Sequence, residues 1–270
     1  MPTSTRASRL TLRFGALGYL AALLAIPVAM VFYRTFEHGI GPAWEAVTTP
    51  PAQHAFWLTC TMVAIAVPLN TIFGIGIGIG LAIVRGRWRG KTLVSAIIDL
   101  SFAVSPVVVG LALILVYGNK GWIGSTFAEH GVRIIFSTPG MVLATIFVSL
   151  PFVVREVVPV LREIGVDQEE AASTLGASAA QTFWRITLPA IRWGVAYGVI
   201  LTTARALGEF GAVAVVSGKI EGQTETMTLF VEQRFQAFDL TGAYAASVVL
   251  ALLALVVIAT MTLLDRRKEQ

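Results

Sequence analysis

Six apolar runs, each long enough to cross a lipid bilayer, limit what this chain can fold into more than anything else in it. They occupy residues 12–33, 56–84, 93–117, 141–158, 191–216 and 242–264, and a helix needs about 20 apolar residues to span about 30 Å of hydrocarbon. None alternates as barrel strands do, and only helices and closed barrels satisfy their backbone in lipid. The expected fold is an all-α integral membrane protein with about six transmembrane helices. Composition agrees, since 56% of the 270 residues are hydrophobic and 13% are charged, about half the charged share of a soluble domain.

Lysine and arginine set the expected orientation. With the amino terminus inside, Arg6, Arg9, Arg13, Arg85, Arg87, Arg89, Lys91, Arg155, Arg162, Arg185, Arg192, Arg266, Arg267 and Lys268 fall on the cytoplasmic side. Arg34, Lys120, Arg133, Lys219 and Arg234 fall on the other, and Arg205 lies within a run. The positive-inside rule then puts both termini in the cytoplasm, as tails 1–11 and 265–270 around a membrane domain 12–264. The basic pI near 9.5 follows from these clusters, and no nucleic-acid patch is expected. Three arginines before an apolar stretch also suit a secretory signal. This stretch exceeds the usual 7–15 or so residues and lacks a small-x-small site near Pro27, so an uncleaved helix is expected.

Several segments invite a chemical reading that their spacing refuses. GRWRGKT, residues 86–92, has three residues between Gly86 and Gly90 where a Walker loop needs four, and Arg85 stands where the first glycine belongs. It reads as a basic turn, so this chain is not expected to hydrolyse ATP. His38, His54 and His130 are too scattered for a metal site. Cys60, the lone cysteine, reads as a small packing residue. In GIGIGIG, residues 74–80, Gly74 with Gly78 and Gly76 with Gly80 make two overlapping small-xxx-small pairs suited to close helix contact, with a deformable helix beside a path as the functional alternative.

Charges inside the runs are few, and each needs a partner or water. Arg205 and Glu209 stand four apart, on one helix face, with Arg205 about 21 Å along the helix from Ile191. Either an internal ion pair or contact with an anionic solute accounts for them. Asp99 needs an arginine or a helix end. Ser105 and Pro106 kink the third run, because proline removes a backbone bond; where such a break lines a cavity it can lie on a solute path.

The polar island EAASTLGASAAQTFWRITLP, residues 170–189, separates two apolar runs. Asp167 with Glu170 forms a capping-box pattern that opens a short helix, and Gly176 suits its left-handed stop. Ser178 with Gln181 repeats the box for a second helix, expected to end before Pro189. Phe183, Trp184, Ile186 and Leu188 supply apolar surface for the bundle or a partner. A loop lying on lipid would be basic, whereas Asp167, Glu169 and Glu170 are acidic. Docking of another protein is expected instead.

The same residues, with Glu170, Ala171 and Ala172 followed at fixed spacing by Gly176, Ile186, Leu188 and Pro189, resemble the EAA signature of the membrane subunits of bacterial ABC importers. The resemblance implies a type I importer permease fold in which loop 159–190 is a cytoplasmic coupling helix set into a cleft of an ATPase subunit. Glu170 would then engage basic groups of that subunit, with Asp167 and Glu169 beside it among the coupling residues, Ala171 and Ala172 would allow close approach, and Gly176 would make the turn. ARALGEFGAVAVVSG, residues 204–218, is similar to the fifth span of oxyanion permeases. DLSFAVSPVVVGL, FSTPGMVLATIFVSLPFVVREVVPVL and LPAIRWGVAYGVILTTARALGEFGAV are together most similar to the W-type permeases of sulfate and thiosulfate importers. Implied with them are a T-type permease, two ATPase subunits holding ATP and Mg, an external sulfate-binding protein, residence in the bacterial inner membrane, and no cofactor on this chain itself. Molybdate is the alternative cargo. Ser105, Pro106, Arg205 and Glu209 are the candidate solute-path residues. An ion-driven transporter would instead show midplane relays in repeated halves, and an intramembrane enzyme would need a nucleophile or acid–base pair within the spans.

Overall fold

In a computed structural model the described backbone covers residues 6–82 and 90–268, with side chains over 13–80 and 90–263. Residues 86–89 of the basic turn lie outside these. Among the described residues, five helices are long and apolar enough to cross a membrane, or six if one bent pair counts as a span. They are α1 (Arg6–Phe36), α3 (Pro50–Ala82), α7 (Thr138–Ile164), the continuous rod Ala179–Leu207, and α13 (Leu240–Lys268). The bent pair is α4 (Lys91–Ala103) with α5 (Pro106–Tyr117).

Two expected spans are therefore corrected. The run at 93–117 does not merely kink but turns through 117° between α4 and α5. Pro106 has no N–H to continue α4, and it forces Ser105 into an extended conformation with ψ 134° before starting α5 itself. The run at 191–216 also breaks: its helix stops at Leu207, and a separate helix, α11 (Gly211–Val216), begins after Gly208, Glu209 and Phe210.

The centre of the bundle is α7, which packs against both α3 and the rod. A Cβ added at Gly74 would stand 2.6 Å from Val153 Cβ, and one added at Gly198 would stand 2.9 Å from Val153 Cα. Val153 is thus held between glycines of two helices, the close approach that small residues permit in lipid. Gly78 likewise faces Val157, while Gly76 and Gly80 meet nothing within 4 Å among the described residues. Of the two overlapping glycine pairs, only Gly74 with Gly78 packs. Both face α7 because they lie four residues apart on one side of α3, and Gly76 and Gly80 lie on another.

α1 is exposed from residue 13 to residue 30 and α13 is buried only in part, so these two form the lipid side of the bundle. Opposite the 165–188 end, short helices α2 (Ile40–Thr48), α6 (Gly124–Glu129) and α12 (Met227–Gln236) close the bundle. There Met227 N–H donates to Thr59 Oγ1 at 2.9 Å, tying the α11–α12 connection to α3.

Candidate functional site

Gly165, with φ +73°, turns the chain out of α7, and the next helix is α8 (Asp167–Thr174). The expected capping box of Asp167 with Glu170 does not form. Val166 holds the cap position, and its carbonyl accepts from Glu170 N–H at 2.9 Å, so Asp167 is already helical. Asp167, Glu169 and Glu170 instead fill the first turn of α8, where negative charge suits the helix dipole. At the other end Gly176 has φ +84°; its N–H reaches Ser173 and the N–H of Ala177 reaches Ala172, each at 3.0 Å. This is a Schellman stop, and the left-handed residue in it has to lack a Cβ or pay for one.

Ser178 opens α9 (Ala179–Thr182) through the expected reciprocal box: Gln181 N–H donates to Ser178 Oγ at 3.3 Å, and Ser178 N–H donates to Gln181 Oε1 at 2.9 Å. The helix does not end before Pro189. It widens into a π-turn over Phe183–Thr187, where Leu188 N–H reaches Phe183 five residues back, and runs on as α10 (Leu188–Leu207). The wide turn absorbs the bond that Pro189 cannot donate. Thr187 Oγ1 donates to Glu169 Oε1 and so ties α8 to this rod. Thr187 carries no motif, which is why sequence reasoning passed over it.

The two arms stand off the end of the bundle, with Leu175 88% exposed at the tip and Trp184 66% exposed beside the second arm. Glu170, Ala171 and Pro189 lie on open surface, whereas Ala172 is buried. Ile186 is half-buried, and Leu188 packs with Val153, Val157, Leu161 and Ile191 in the bundle's own core. A cleft between the arms is lined by Glu169, Ser173, Ala177, Phe183 and Thr187. The geometry is that of a bent prong, acidic at its base and apolar at its tip, rigidly continuous with a membrane-spanning helix.

The other candidate residues gather at the far end of that helix. Arg205 Nη1 meets Glu209 at 2.6 Å, but across a helix end and not along one face as expected, because α10 has already stopped. Glu209 Oε1 also accepts the Ala212 N–H at 2.9 Å, capping α11, and its carbonyl accepts from Thr228 Oγ1. A Cβ at Gly211 would lie 3.0 Å from Pro106 Cβ, so the breaks in the two interrupted helices rest on each other. Ser105 is exposed beside them. Asp99 finds Arg155 of α7 at 2.9 Å, a partner 56 residues away that no local spacing announces.

A helical membrane bundle carrying an exposed, acidic, glycine-turned prong defines the class, and the chain belongs to the family described as binding-protein-dependent transport system inner membrane component, matched over residues 74–270. It is a multi-pass membrane subunit of such a system. The chain is 53% identical over 252 residues, 93% of its length and 91% of the relative's, to the sulfate transport system permease protein CysW of Synechocystis sp.. It is 40% identical over 240 residues, 89% of its length and 86% of the relative's, to the sulfate transport system permease protein CysT of Synechococcus elongatus. A bacterial alginate ABC transporter solved in complex with an alginate pentasaccharide-bound periplasmic protein has the same fold, with TM-score 0.74 over 97% of this chain and 98% of that one at 17% identity.

Proposed function

We propose that this chain is the W-type membrane subunit of an ATP-driven importer that moves sulfate and thiosulfate across the bacterial inner membrane. The observation that carries the reading is the 53% identity maintained over 93% of the chain to a sulfate permease. The likeness to a CysT protein and the docked periplasmic protein of the structural relative support a T-type partner and an external sulfate-binding protein. Two ATPase subunits, with their ATP and Mg, complete the assembly, and the 165–188 end faces the cytoplasm.

In this reading Asp167, Glu169 and Glu170 engage basic groups in a cleft of the ATPase subunit, Ala171 allows close approach, and Leu175 and Trp184 fill apolar ground beside it. Closure of the ATPases displaces the prong. The rod from Ala179 to Leu207, about 42 Å at 1.5 Å per residue, carries that displacement to the Arg205–Glu209 break and the α5–α11 contact behind it. Docked binding protein and ATP bind one arrangement of the bundle better than the other, which is what drives the switch.

The deciding experiment is uptake of labelled sulfate, in competition with thiosulfate and molybdate, by cells lacking this gene and complemented with it. Competition by thiosulfate and not by molybdate is expected; uptake of molybdate in preference to sulfate overturns the cargo. Glu170→Lys in the reconstituted importer is expected to abolish solute-stimulated ATP hydrolysis, and undiminished stimulation removes the coupling role.

A further inference from the structure

The cleft between α4 and α7 plays no part in the prong or in the break at Glu209. Asp99 and Arg155 meet there at 2.9 Å with side chains 65% and 54% exposed. α7 has 27 residues, so at about 40 Å it overhangs a hydrocarbon core of about 30 Å by about 5 Å at each end. Arg155 stands nine residues before Ile164, about 14 Å from the α8 end, and so lies within the hydrocarbon depth. An open ion pair at that level is costly against lipid tails. Pro159, four residues on, also deprives the Arg155 carbonyl of its helical donor. Both features call for water on this face.

Arg162 lies two turns beyond Arg155 on the same side of α7 and has no ion-pair or hydrogen-bond partner among the described residues. Ser95 lies one turn from Asp99 on the facing wall. Together with apolar Ile98, Val154 and Val158, these groups line an open groove of about 200 Å³. The Phe102 ring, 4.1 Å from Arg155 Cζ and edge-on to Phe152, holds the guanidinium in place.

Resting on the importer reading above, the geometry points to this cleft as a transient exit site for the transported tetrahedral oxyanion. Two guanidinium groups facing one carboxylate leave a net positive cleft, and the planar guanidinium fork suits oxyanion oxygens. Asp99 competes with the solute for Arg155, so the anion is received by Arg155 and Arg162 but held weakly and released. Ser95 supplies a hydroxyl donor.

The test uses the complete importer in inside-out vesicles, with Ser95→Cys in a Cys60→Ala background and a membrane-impermeant anionic methanethiosulfonate as the probe. Pro159→Cys, exposed on the α7 wall of the same cleft, is the second reporter. Labelling slowed by sulfate is expected. The protecting sulfate concentration should fall about tenfold in Asp99→Asn and rise about tenfold in Arg162→Gln. Lack of reaction at both cysteines, cross-linking of either to the second permease, or labelling indifferent to sulfate in vesicles that release lumenal sulfate on ATP addition overturns the site. If the vesicles release lumenal molybdate and not sulfate on ATP addition, and molybdate protects, the site stands and the sulfate reading falls.

Discussion

Arg205 and Glu209 are joined at 2.6 Å across the point where α10 ends, and the Glu209 side chain is only 2% exposed. Because the same carboxylate caps α11 through Ala212 N–H, the pair fixes the geometry of the break. Arg205→Ala leaves a buried carboxylate without its cation, a change that costs about 3 kcal/mol or more. We expect a lower Tm in nanodiscs, recovered in part by Arg205→Ala with Glu209→Gln. Lost uptake with an unchanged Tm would instead make Arg205 a solute contact.

Gly198 and Gly76 offer a paired comparison. A Cβ at Gly198 collides with the Val153 backbone, whereas one at Gly76 meets open space. Gly198→Ala should destabilise by about 1–3 kcal/mol, and Gly76→Ala should be neutral or gain up to about 1 kcal/mol of helix propensity. Equal thermal shifts for the two would contradict the packing of Val153 described above.

Glu225, in the connection between α11 and α12, is 1% exposed, and neither of its carboxylate oxygens has a hydrogen-bond partner among the described residues. Burial first, and then repulsion from Glu221, push its pKa up to about 7, against the opposing pull of Arg234. The folded state therefore binds this proton more tightly than the unfolded chain. The resulting stability is full below about pH 4.5 and is lost as pH rises through about 7, by roughly 3 kcal/mol at most. Glu225→Gln should flatten the fall in Tm between pH 5 and pH 8 and be the more stable protein at pH 8. Parallel curves for the two proteins would assign the pH dependence to other groups.

Ser178 holds the start of the rod by its reciprocal bonds with Gln181. Ser178→Ala removes about 1 kcal/mol of capping. Because α9 stands off the bundle, the loss should be local: amide exchange at 179–182 quickens severalfold while global Tm stays put. A matching drop in Tm would show that the prong unfolds together with the bundle.

Much of this architecture was legible because it is local. Apolar length marked the spans; the Gly176 stop and the Ser178 box depend on residues a few positions apart. The start of α8 differs by one residue from the local pattern, since Gly165 leaves Val166 to cap in place of Asp167. The end of the second arm was misread because Pro189 usually stops a helix, yet a π-turn carries the chain past it. Thr187, which clasps Glu169, belongs to no local pattern at all.

The sequence by itself determined that the chain is a helical membrane bundle with an acidic, glycine-turned prong, since hydrophobic length and capping chemistry act over a few residues. Only the tertiary structure decided that α4 and α5 part at 117°, that Gly74 and not Gly76 meets α7, that Asp99 finds Arg155, and that Pro106 rests on Gly211. Each of these depends on how distant helices pack, where backbone approach and the need to pair or hydrate charge in lipid select among arrangements that local propensity leaves equal.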